Sequence, residues 1–210
     1  MVTLTCRLES KKKTSVFAFL PTLCFGLGCS SRSNEITTEV RGVSENAAVV
    51  ILGGEPTDEQ KEKMLAAKEA LFQKLSGRLM EAMSSKGPAA AIAVCQTEAP
   101  QIAKAISEEK GVSIGRTGVR LRNPSNQPPA WAASMVEAKT EIPTFVKLSN
   151  DHAAALLPIK LQTQCLMCHG PNDQLIPDVQ SQLAKLYPAD HATGFQEGEL
   201  RGWFWVELPN

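Results

Sequence analysis

The pentapeptide Cys165-Leu166-Met167-Cys168-His169 constrains this chain more than any other stretch. Two thiols separated by two residues, followed at once by histidine, form the attachment signature of a c-type haem. Each thiol can add across a haem vinyl group to give a thioether, and the two-residue spacer lets both sulfurs reach adjacent edges of one porphyrin. The histidine then falls beneath the iron and coordinates it through its imidazole. Other chemistries also use a CxxC pair. A structural zinc site needs four ligands, and no second nearby pair of Cys or His accompanies this one. A redox CxxC stands at a helix start after a strand, in a different context. A structural disulfide is the remaining use. The motif predicts one covalent haem c, with Cys165 and Cys168 as the thioether cysteines and His169 as an iron ligand.

At 210 residues the chain suits one domain with an N-terminal extension, and 43% hydrophobic residues are enough to bury a core. Basic and acidic residues balance at 22 each, and aromatics make up only 5%. Neither an electrostatic footprint nor a stacking surface for nucleic acid is present. Lys11, Lys12 and Lys13 precede an apolar stretch over residues 15–28, which Pro21 interrupts. A basic segment followed by a short apolar one reads as an export signal, too short for a comfortable membrane span. Gly28 directly before Cys29 resembles a bacterial lipoprotein processing site, although Gly26 stands where such sites usually carry Leu. Export agrees with the haem motif, because bacteria attach haem c outside the cytoplasm. The expected layout is a signal over 1–28, a linker over 29–56 and a haem domain over 57–210. The protein would be periplasmic, held to the membrane by a lipid on Cys29.

Within the domain, Thr57 and Gln60 form a capping box, with Asp58 and Glu59 in the first helical turn. Met64, Leu65, Leu71, Phe72, Leu75, Leu79 and Met83 follow at helical spacing up to Gly87-Pro88. A second helical segment begins near Ala89, split at Pro100, with Thr97 able to cap its second piece, and ends at Gly111. Strands are expected over 112–115, 119–122, 144–148, 156–161 and 202–208, with short helices over 131–139 and 179–186. The apolar interlude over 47–52 is assigned no role. Helices first and strands afterwards favour an α+β fold with an antiparallel sheet.

The residues leave the second axial ligand open among His152, His191, Cys95 and the methionines at 64, 80, 83 and 135. Met167 is excluded, because it lies inside the attachment loop on the His169 side. Arg116, Arg120 and Arg122 with Asn123 are candidates to neutralise the haem propionates, since guanidinium pairs with carboxylate in a fork. Trp131, Phe145, Trp203 and Trp205 are candidates for the apolar wall, and Ile176 and Pro177 for packing against the haem face. No Ser/His/Asp set, paired carboxylates or phosphate loop points to substrate chemistry.

Several stretches together resemble a known bacterial family. They are residues 94–100, Ile114-Gly115-Arg116-Thr117, Arg122-Asn123-Pro124, the motif through Gly170, Tyr187-Pro188, Gly194 and Arg201-Gly202. The family is that of PAS-like c-type haem proteins, found as standalone exported proteins and as the sensory part of membrane histidine kinases. The likeness spans about residues 60–208. It implies a PAS-like sheet and a His/Cys axial pair, here His169 and Cys95. Gly118 after Arg116-Thr117 departs from the family pattern, as does His191 in its loop. The implied role is redox or small-ligand sensing, or one-electron transfer, with a separate redox partner or signalling protein. The alternative is a haem peroxidase-like enzyme, which needs an open distal position served by His152 or His191.

Overall fold

The computed structural model describes residues 47–210. The expected signal, and lipidation at Cys29, lie outside the described residues. Helix α1 (Asp58–Lys86) opens as its capping box requires. The Gln60 N–H donates to Thr57 Oγ1 at 3.2 Å, and the Thr57 N–H donates to Gln60 Oε1 at 3.1 Å. Met64, Ala67, Leu71, Leu75 and Ala82 form its buried stripe. Leu65 and Phe72, expected in that stripe, are exposed instead. Each stands one residue, or about 100°, round the helix from a buried partner.

Gly87, at φ 82°, ends α1, and Pro88 starts α2 (Pro88–Thr97). Pro100 sits in the first turn of α3 (Ala99–Lys110), where its missing N–H costs nothing. Thr97 does not cap α3. Glu98 holds the cap position, one residue later, and the Thr97 hydroxyl donates back to the Ala93 carbonyl at 2.9 Å. Gly111 closes α3 in the left-handed region at φ 66°.

Five strands follow: β1 (Val50–Ile51), β2 (Ser113–Gly118), β3 (Thr144–Leu148), β4 (Ala153–Lys160) and β5 (Leu200–Leu208). They form one antiparallel sheet in the order β1-β3-β4-β5-β2, so the fold is α+β as expected. Two expectations change. Residues 119–122 are not a strand, because Arg122 is drawn out of line into contacts with Asp190, Cys168 and Ala192. Val50 and Ile51, inside the expected linker, pair with Leu148 and Lys147 at the sheet edge.

Ala153 to Leu157 are buried without alternation because both faces of the sheet are covered. On one face, Met64, Leu71 and Ile106 pack on Ile114, Leu157, Phe204 and Val206. On the other, Trp131 and Ala132 pack on Leu148, Leu156 and Trp203. Trp131 belongs to the short helical segment ending in α4 (Ala133–Glu137), and the Trp203 indole N–H donates to the Thr140 carbonyl at 2.7 Å.

Candidate cofactor cleft

After β4, a single turn over Thr163–Cys165 leads into α5 (Leu166–His169), so the motif is helical throughout, and it does open a helix after a strand, the context expected of a redox CxxC rather than a different one. One turn separates Cys165 from Cys168, which puts both thiols on one face, with His169 beside them. Both thiols are half-buried and form no disulfide among the described residues. Gly170 ends the turn with its N–H on the Leu166 carbonyl at 2.9 Å. A Cβ there would stand 2.7 Å from that carbonyl oxygen, so glycine is what lets the motif close. Among the described residues, no group of three or more His, Cys, Asp or Glu converges, so the zinc alternative finds no ligand set.

His169 Nδ1 lies 2.7 Å from the Ala192 carbonyl oxygen. A carbonyl only accepts, so Nδ1 carries the proton and Nε2 keeps its lone pair. Burial and the nearby Arg122 and Arg201 charges push His169 well below the usual histidine range, which keeps the ring neutral. The loop over 190–195 holds this orientation. The Ala192 N–H donates to Asp190 Oδ1 at 2.7 Å, and Arg122 Nε donates to Asp190 Oδ2 at 2.9 Å. Arg122 Nη2 reaches the Cys168 carbonyl at 2.6 Å and the Ala192 carbonyl at 3.3 Å. The Phe195 N–H donates to the His169 carbonyl at 2.9 Å, and the Phe195 ring stands edge-on to the imidazole.

His169 opens onto a cleft of about 230 Å³ whose apolar lining comes from Phe72, Leu75 and Leu79 of α1, Ile159, Leu161 and Phe204. That volume sits below the ~300–1,000 Å³ usual for cofactor sites, so a larger ligand would keep one edge outside. The wall is not the one expected from the tryptophans. Trp131, Trp203 and Trp205 pack on the far face of the sheet, and Phe145 packs at the margin of the helix-covered core. Ile176 is 49% exposed and, like Pro177, is not part of the lining.

Cys95 lines the same cleft as His169. Helix α2 holds it there, anchored by Gln96 Nε2 donating to the Leu186 carbonyl at 2.9 Å, near the end of α6 (Pro177–Leu186). Burial pushes the Cys95 thiol up, while Arg116, Arg122 and Arg201 pull the other way. None of the other ligand candidates lines the cleft. His152 Nδ1 pairs with Glu207 Oε1 at 2.7 Å, His191 is exposed, Met64 is in the core and Met135 is on the far face.

The arginines sort differently from the expectation. Arg116, Arg122 and Asn123 line the cleft, whereas Arg120 is exposed, stacks on the Phe195 ring at 3.9 Å and is not part of the lining. Nε and Nη2 of Arg122 are already engaged by the motif and its loop. Arg201, absent from the expected set, lines the cleft as well. Among the described residues Asp190 is the one acid paired with this group, so the cleft carries an excess of positive charge.

Residues 36–209 match the model of the Tll0287-like family. No curated protein matches the chain. Among solved structures, the crystal structure of the cyanobacterial heme-protein Tll0287 is similar, with a TM-score of 0.55 and 24% identity. The match covers 74% of this chain and 98% of that one, and at this identity it speaks for the fold alone.

Proposed function

This chain belongs to the Tll0287-like family, and from that membership and its cleft we propose that it is an exported c-type haem protein serving one-electron transfer or redox and small-ligand sensing. One observation carries the reading. The Ala192 carbonyl holds the proton of His169 on Nδ1, which frees Nε2 as a ligand beside the two motif thiols, on a cleft that Cys95 also lines. Cys165 and Cys168 would carry the thioethers, His169 the proximal bond and Cys95 the distal one. The solved relative is titled a heme-protein, which supports the same cofactor here. A porphyrin exceeds the enclosed volume, and the half-buried motif thiols suit a ring with one edge at the surface.

Haem held here would supply one-electron redox chemistry and small-gas binding. The remaining work belongs to the chain. Cys95, as a ligand of the iron, would act as a thiolate that donates charge and favours a low potential, where methionine would raise it. Phe72, Leu75 and Leu79 of α1 and Ile159 of β4 give the cleft its apolar side, and Arg116 and Asn123 stand ready for acidic groups on the ring. A PAS-like sensory role would pass its output to a separate protein. Lipid on Cys29 would keep the domain at the membrane, outside the cytoplasm. The peroxidase-like alternative lacks its distal acid–base group, since neither His152 nor His191 lines the cleft.

The test is the protein produced with haem-c maturation. A haem stain that survives denaturing electrophoresis is expected, and its absence would overturn the reading. Low-temperature EPR of the ferric form should give a low-spin thiolate signal that Cys95→Ser abolishes. An unchanged signal in the variant would return Cys95 to packing.

A further inference from the structure

Arg201 reaches the cleft by an irregularity that strand alternation does not foresee. Between β4 and β5 the register runs from Ile159↔Gly202 to Lys160↔Leu200, so Arg201 is the unpaired residue of a bulge. A bulge re-aims a side chain, and here it turns Arg201 to the face that carries Arg116. Two glycines on the facing strands make room. A Cβ on Gly202 would collide with the Thr117 carbonyl and stand 2.6 Å from the Gly118 Cα, so the backbones close only with glycine. A Cβ on Gly118 would collide with Arg201 Nη1.

The guanidinium so placed donates one bond, from Nη1 to the Arg120 carbonyl at 3.0 Å, and meets no carboxylate among the described residues. Arg116 has no side-chain acceptor among the described residues either. Asp190 is committed to Arg122. Two partly buried cations face an apolar cleft without a counter-ion, which is costly unless an anion joins them. We propose that Arg116 and Arg201 form a receptor for one carboxylate of the bound porphyrin, a propionate, with Gly118 and the β5 bulge built to admit the second guanidinium. This rests on the haem reading above, and it makes Arg201, rather than Arg120, the second arginine of the receptor.

The test uses the full chain made without haem maturation, titrated with iron-free protoporphyrin IX and with its dimethyl ester and followed by porphyrin fluorescence. The iron-free ring takes no axial ligand, so carboxylate recognition is read alone. The diacid should bind about tenfold or more tightly than the diester, as expected of charge-assisted bonds. Arg116→Gln and Arg201→Gln should each remove most of that preference, and Arg201→Lys should keep part of it. Gly118→Ala, which displaces the Arg201 guanidinium without changing charge, should act like Arg201→Gln. Equal binding of diacid and diester, no binding of either, or an undiminished preference in Arg201→Gln would overturn the receptor. Covalent haem staining of the matured wild type separates the two readings. A stained band with no diacid preference refutes the receptor alone, and an unstained one refutes the cofactor assignment beneath it.

Discussion

Removing the Arg122 side chain should cost more stability than any change on the exposed faces, because it strands a buried charge. Arg122 and Asp190 are 8% and 10% exposed at their side chains and meet at 2.9 Å. In Arg122→Ala, Asp190 keeps only the Ala192 N–H, and the Cys168 carbonyl loses its donor at 2.6 Å. Breaking a buried pair on one side costs about 3–5 kcal/mol. Water entering the space left by the side chain favours the lower end of that range. Asp190→Ala should cost a similar amount from the other side. The double variant should lose at least about 2 kcal/mol less than the sum, because neither stranded partner remains. Urea unfolding of the chain without haem, followed by far-UV circular dichroism, measures all three through the midpoint at constant slope. A single-variant cost below about 0.5 kcal/mol, or strict additivity in the double, would refute the claim that this pair locks the motif to its loop.

Other sites give narrower tests. Thr57→Ala opens the capping box of α1 and should cost about 1 kcal/mol, read as a melting-temperature drop of a few degrees by circular dichroism. Leu71→Ala empties a position 1% exposed between α1 and the sheet and should cost about 2–5 kcal/mol in the same urea assay. Gly170→Ala forces a methyl group onto the Leu166 carbonyl, costing about 1–3 kcal/mol. It should also lower the yield of covalently stained protein more than Thr57→Ala does, because it distorts the turn that aligns the two thiols.

What the sequence made legible and what it hid divide along one physical line. The motif, the α1 cap and the α2–α3 break could be read because their causes are local. A thiol spacing, a Thr–Gln pair and a proline each act within a few residues. Features set by a distant partner could not be read that way. Val50 and Ile51 are a strand only because Leu148 and Lys147 accept them, and two residues carry no periodicity of their own. The tryptophans looked like a cofactor wall because aromatic content was the only signal. The sheet has two covered faces, and the register Gly115↔Trp205 and Thr117↔Trp203 sends both β5 indoles to the face opposite the cleft. Arg201, and not Arg120, lines the cleft for the same reason. Residue type and nearness in sequence group Arg116, Arg120 and Arg122, but β2 stops at Gly118 and the bulge brings in Arg201 from β5. Gly118 and Gly202 were the signal available in the sequence, since glycine inside a strand marks a bulge or a close approach of backbones. They do not say which side chain the bulge re-aims. That depends on the pairing of β4 with β5, and this pairing, rather than the order of residues along either strand, decides which cations the cleft receives.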